Sequence, residues 1–184
     1  MALFKADDLR RRAALQRITK SVTSAYILNE SQTSRLSEYD VFLSHSKMDE
    51  ELIHGVKTVL EDYGLTVYVD WIDNPELNRD SVTARTASTL RDKMRVSRML
   101  VYAHTLNSTN SRWCPWELGY FDGHRGGNVF IFPIALSDQH SFYGQEYLGL
   151  YPYLDKVGAE LFVNGSQEPI AYLREAKAKV LIRL

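Results

Sequence analysis

Apolar residues near the start of the chain recur at helical spacing. Leu9, Leu15, Ile18, Val22 and Tyr26 form the stripe, and Arg10, Arg11, Arg12, Arg17 and Lys20 populate the other faces. That period predicts one amphipathic helix. The polar run NESQTSRLSE that follows supplies neither period nor bulk and reads as a linker. From Tyr39 the pattern changes: the short apolar runs YDVFLS, TVYVD, RMLVYA, VFIFPIA and ELFV alternate with helical stretches. This is the signature of a parallel sheet covered on both faces. Residues 49–63 carry Leu52, Val56, Val59 and Leu60 at helical spacing and stop at Gly64 as a C-cap. Asp80 or Ser81 can cap a second helix that runs to about Val96 and turns Ala87, Leu90 and Met94 inward. Residues 113–123 make a third, and residues 167–182, with Ile170, Leu173, Ala176 and Val180 on one face, a last. The stretch SDQHSFYGQEYLGLYPYLDK breaks the alternation with aromatics and glycines, and a long loop or small helices are expected there. The fold class is therefore α/β, with an N-terminal helix and linker over residues 1–37 and one domain over residues 38–184.

Composition narrows this picture. At 184 residues, 45% of them apolar, the chain has the material for one packed domain with an appendage. Lys+Arg of 22 against Asp+Glu of 23 gives a formal net charge of -1, so no global field draws the protein onto nucleic acid or anionic lipid. The single cysteine, Cys114, excludes an internal disulfide, and no Cys/His cluster has zinc-site spacing. No run approaches the ~18 apolar residues of a membrane span, and no signal-type apolar region follows the N-terminal arginines. A soluble, cytoplasmic protein without a metal is expected. The apolar stripe of the N-terminal helix needs a cover, either a second copy of the chain or its own domain.

In an open parallel sheet, ligands bind outside the carboxyl ends of the strands. That rule nominates Ser44, His45 and Ser46 after the first apolar run, Asp70 and Trp71 after the second, and the residues after His104 following the third. The sharpest local feature is WCPWELGYFDG, in which Trp113 and Glu117 stand four apart and so share a helical face. Pro115 suits a first helical turn, which makes Cys114 a candidate N-cap and Glu117 about the third helical residue. A carboxylate there is favoured ionised by ~0.3–1 kcal/mol. An ionised carboxylate beside an aromatic face suits cleavage of a bond between ribose and a cationic pyridinium. Nicotinamide leaves such a bond as a neutral molecule, so the general acid that O-glycosidases need is dispensable. Structural roles stand beside these: a helix-start preference for Glu117, core packing for Trp113, capping or burial against nucleophilicity for Cys114. His45 either donates to phosphate or ribose oxygens or satisfies backbone groups at a strand end. Asp70 either bonds a ribose hydroxyl or serves as a turn residue. The loop WIDNPELNRD is either a lid or contact surface or a solvated connection.

The order YDVFLSHS, a helix, TVYVD with a long loop, then WCPWELGYFDG resembles the TIR domain, specifically bacterial members that act on NAD, over about Tyr39 to Ala135. The resemblance implies a flavodoxin-like fold with a five-stranded parallel sheet. It implies NAD+ as substrate with no separate cofactor, and self-association through the BB loop that follows the second of the five apolar runs. By position, Glu117 matches the family's catalytic glutamate and Trp113 the tryptophan of its W-x-x-x-E motif. Ser44 and His45 match the ligand-facing end of the first of those runs, and Asp70 and Trp71 the start of the BB loop. The loop carries NPELNRD where receptor-type members have a Pro-Gly turn. Similarity to TIR proteins of Thoeris-type antiphage defence implies an NAD+ glycohydrolase or ADP-ribosyl cyclase whose product a separate effector reads, or one that depletes NAD outright. Two other readings compete. One is a non-enzymatic TIR scaffold; the other is a relative of nucleoside deoxyribosyltransferases, which share an open sheet and use a carboxylate on deoxynucleosides.

Overall fold

Phe4–Lys5 forms a two-residue strand, β1, that leads directly into helix α1, Ala6–Val22. The computed structural model describes residues 4–22, 38–77, 82–135, 146–157, 160–164 and 170. The linker, Asp80 and Ser81, and the helix expected over residues 167–182 apart from Ile170 lie outside the described residues. The rest alternates as the apolar pattern demands: β2 Tyr39–Ser44, α2 Glu50–Asp62, β3 Val67–Tyr68, a single turn α3 Asp70–Asp73, α4 Ala84–Arg95 and β4 Ser97–His104. After these come a short α5 Leu106–Thr109, α6 Trp113–Arg125 and β5 Val129–Ala135. A 3-10 turn over Glu146–Leu150 and two strands, β6 Leu154–Val157 and β7 Glu160–Val163, complete the order.

The main sheet is five-stranded and parallel throughout, ordered β1-β5-β4-β2-β3. That is a flavodoxin-like arrangement with β4 at its centre, between β5 and β2. Its fifth member differs from the expected one. ELFV is a strand, but β7 pairs antiparallel with β6 in a separate ribbon. The reason lies at the outer edge of β5, which is already occupied: Ile134 and Ala135 pair with Phe4 and Lys5, and the Ile131 N–H donates to Pro152 O at 2.9 Å. The Phe4 ring stacks on Phe132 with centroids 3.9 Å apart, which ties the short strand to the core.

Two apolar layers flank the sheet. Val41, Leu43, Val67 and Val101 meet Leu52, Ile53, Val56 and Leu60 of α2 on one face, and Leu154, Leu161, Val163 and Ile170 join that layer. On the other face Phe42, Tyr68, Leu100 and Tyr102 meet Leu90 and Met94 of α4 and Leu118 and Phe121 of α6. Helix α2 is capped by Tyr63, and Gly64 takes a left-handed φ of +78°, its N–H donating to Glu61 O at 2.8 Å. Helix α4 starts later than Asp80 or Ser81 because the Thr83 hydroxyl accepts the Thr86 N–H and caps it.

Helix α1 lies on α2. Leu9 and Ala13 are buried there, Arg12 pairs with Asp62, and the Thr58 hydroxyl donates to Gln16 Oε1 at 2.8 Å. The crossing is set by Gly55, where an added Cβ would lie 2.3 Å from the Leu9 carbonyl oxygen. Only a glycine lets the backbones approach so closely. The stripe is thus partly covered by its own domain, while Leu15 and Ile18 remain 64% exposed. Among the described residues no helix is long and apolar enough to cross a membrane.

Candidate active site

Glu117 is carried by α6, whose start is set by Ser111. The Ser111 hydroxyl accepts the N–H groups of Trp113 and Cys114, both at 3.2 Å, and Pro115 sits in the first turn, where a missing N–H breaks no helical bond. The helix therefore begins at Trp113, and Cys114 is inside it instead of capping it. Cys114 is buried in the layer between α6 and the sheet, away from solvent. Glu117 becomes the fifth helical residue, past the four N–H groups that make a helix start attractive to anions. Its support comes from across the sheet. Ser44, the last residue of β2, donates its hydroxyl to Glu117 Oε2 at 2.6 Å, a short O–H···O bond. Both residues are 0% exposed.

The remaining expected residues gather on the opposite face of the same strand end. Side chains alternate along a strand, so where Ser44 faces α6, Leu43 and His45 face α2. His45 Nδ1 lies 2.8 Å from Leu43 O. A carbonyl oxygen only accepts, so Nδ1 carries a proton and donates it to Leu43 O. The Trp71 indole N–H donates to His45 Nε2 at 2.9 Å, and Asp70 Oδ1 lies 3.3 Å from it. The His54 ring of α2 meets Trp71 edge to face at 4.7 Å, so Trp71, half-buried, is held between two imidazoles. His45 and Asp70 are buried. The sheet thus sorts the residues expected at the carboxyl ends into two back-to-back groups, Ser44 with Glu117 and His45 with Asp70 and Trp71.

Trp113 is buried in the layer between α6 and the sheet and packs edge to face on Trp116 at 5.4 Å. It is buried packing and not an exposed platform. His104 is buried at the end of β4, and burial pushes its imidazole below the ordinary pKa, toward the neutral form.

The residue that pattern reasoning passed over is Asp49. It was legible only as the start of a helix, yet its carboxylate is buried and bridges two loops at the carboxyl end of the sheet. Oδ2 accepts the Thr105 hydroxyl at 2.5 Å and Oδ1 accepts the Asn107 amide at 2.6 Å. Thr105 in turn caps α5 by accepting the Ser108 N–H at 3.0 Å. The partners stand 56 and 58 residues from Asp49, and no local spacing connects them. Among the described residues no group of three or more His, Cys, Asp or Glu is arranged to hold a metal ion.

Comparison with known proteins supplies an independent line. A family model described as TIR domain matches residues 41–162, a span that holds Ser44, His45, Asp70, Trp71, Trp113 and Glu117. A Bacillus cereus (strain MSX-D12) protein provisionally named 3' cyclic ADP-D-ribose synthase ThsB' is 40% identical over 183 residues, covering 92% of this chain and 90% of that one. A Cytobacillus dafuensis protein provisionally named cyclic ADP-D-ribose synthase TIR2 is 33% identical over 102 residues, 55% of this chain and 26% of that longer one.

Proposed function

The chain belongs to the TIR domain family, and on that premise we propose that it is an NAD-consuming enzyme that breaks the nicotinamide–ribose bond and closes the remainder into a cyclic ADP-ribose. The observation that carries the reading is the buried Glu117 carboxylate, fixed by the Ser44 hydroxyl at the carboxyl end of the sheet. A relative matched over 92% of this chain is provisionally named a 3' cyclic ADP-D-ribose synthase.

The chemistry follows from charge. In NAD+ the glycosidic nitrogen is cationic, and the C–N bond breaks with its electron pair going to nicotinamide, which leaves neutral. Positive charge develops on the ribose, and the Glu117 carboxylate stabilises it while binding ribose hydroxyls. An oxygen then forms the new bond to the anomeric carbon and loses its proton. If that oxygen belongs to a hydroxyl of the same molecule, the product is cyclic; if it belongs to water, the enzyme is a glycohydrolase and the product ADP-ribose. Ser44 holds the carboxylate in place, and Trp113 helps keep water from the site.

Because Ser44 and Glu117 are fully buried in this conformation, turnover requires an opening step, as in many enzymes gated by loops. Self-association through the loop after β3 is a route to that opening, and the proposed role in antiviral defence calls for a separate effector that reads the product. Purified protein incubated with NAD+ tests the reading by chromatography: nicotinamide and a cyclic product are expected. Full turnover by Glu117→Gln overturns it, and partner binding through the loop without any NAD cleavage supports a TIR scaffold instead.

A further inference from the structure

The two groups at the end of β2 are joined by one peptide unit, and His45 ties that junction to Trp71. The Trp71 indole belongs to α3, the single turn at the base of the loop between β3 and α4. It donates to His45 Nε2, and His45 Nδ1–H is anchored on Leu43 O of β2. The residue between those two, Ser44, holds Glu117 from the other face. Trp71, His45 and Ser44 are joined in series, the first two by a hydrogen bond and the last two by the main chain. Both ring nitrogens of His45 are thus engaged by the protein.

Taking Glu117 as the carboxylate that acts on the substrate, we propose that His45 is a positioning residue for the reaction: it latches the base of the loop after β3, through Trp71, to the strand end that aims Ser44 at Glu117. The geometry dictates the chemical requirement. Position 45 must present a donor near the backbone of β2 and an acceptor one bond further out, and an imidazole in its Nδ1–H tautomer does both. Asparagine reproduces the inner contact alone, and glutamine the outer contact alone. Phenylalanine at position 71 keeps an aromatic ring against His54 and lacks the N–H.

The experiment measures kcat and KM for NAD+ with the full chain and with W71F, H45N, H45Q and the double variant W71F/H45N. The Trp71 indole N–H resonance is followed in the same samples by NMR, with assignment from its loss in W71F. A positioning latch lowers kcat by about tenfold or more in W71F and in H45N, since a small misplacement of a reacting group is costly. It leaves KM within about threefold, makes the double variant no slower than the slower single one, and lets H45Q recover part of the rate. The indole N–H is protected from exchange in the wild type and loses protection in H45N. Undiminished kcat in W71F and H45N, or losses that multiply in the double variant, overturn the latch, as does an indole N–H that exchanges freely in the wild type. E117Q, measured alongside, separates the two ideas: if it is inactive while W71F and H45N retain full kcat, the latch alone fails. If it turns over NAD+ normally, the role of Glu117 fails and the latch with it.

Discussion

The Ser44 hydroxyl, at the last position of β2, meets the Glu117 carboxylate, one turn into α6, at 2.6 Å with neither residue reached by solvent. Replacing Glu117 by Gln keeps an oxygen that Ser44 can bond and removes only the charge. The fold is expected to survive and NAD turnover to drop by about two to three orders of magnitude, the size seen when one preorganised electrostatic group is lost. Ser44→Ala is expected to lower turnover less, about tenfold, because the charge stays and only its orientation relaxes. Initial rates of nicotinamide release check both. Equal losses in the two variants would mean that Ser44, like Glu117, acts on the substrate directly.

Gly55 and Leu9 define how the N-terminal segment sits on the domain. In an exposed helix Gly→Ala is stabilising by about 1 kcal/mol. Here a Cβ would stand 2.3 Å from the Leu9 carbonyl oxygen, and backbone does not yield as a flexible side chain does. Gly55→Ala is therefore expected to destabilise by about 1–3 kcal/mol, with α1 pushed off α2. Urea unfolding, with proteolysis at the N-terminal segment as a second readout, checks it. A variant more stable than the wild type would show that α1 is free to shift.

Where a signal is local, the sequence displayed it. The apolar runs of β2, β4 and β5 were readable because buried parallel strands are continuous hydrophobic stretches. Trp113 and Glu117 announced themselves by helical spacing. Two features escaped for a common reason. A two-residue strand, Phe4–Lys5, has no period to detect, and it wins its place only because the edge of β5 has room for it and Phe132 offers a ring to stack on. The cap of α6 was misplaced by two residues, Cys114 for Arg112, because Ser111, a hydroxyl outside the quoted motif, takes the first N–H groups. The division of site residues onto two faces of β2 was implicit in the alternation of Leu43, Ser44 and His45, but their partners come from α6 and α3, and only the fold says which side each helix covers.

Asp49 makes the clearest case of a residue visible only in three dimensions. Its carboxylate joins the turn after β2 to Thr105 and Asn107 after β4. Asp49→Ala leaves the Thr105 hydroxyl and the Asn107 amide without that acceptor, and a loss of about 2–3 kcal/mol is expected from stranding hydrogen-bonding groups near a buried site. Asp49→Asn keeps one acceptor oxygen and is expected to lose about half as much. Denaturant midpoints at constant m-value check the ranking. Equal stability of wild type and Asp49→Ala would mean that the two loops are held together by other contacts.

Asp73 gives the protein an expected pH dependence. It closes α3 by accepting the Val69 N–H at 2.7 Å, and burial raises its carboxyl from 3.8 to about 6, against the opposing pull of that hydrogen bond, Lys57 and Lys93. A carboxyl whose folded-state pKa is raised binds its proton more tightly in the native state than in the unfolded one. Its contribution to stability is complete below about pH 4 and is lost as pH rises through about 6. The shift of about two units corresponds to roughly 3 kcal/mol at most. Asp73→Asn cannot ionise, and its side-chain oxygen still accepts the Val69 N–H. The variant is therefore expected to be more stable than the wild type near pH 7.5, with the gap closing near pH 4. Urea unfolding of both proteins at the two pH values isolates this residue, because every other titrating group cancels in the difference. A gap that stays constant with pH, or that widens toward acid, would show that the Asp73 carboxyl ionises as readily in the folded chain as in the unfolded one.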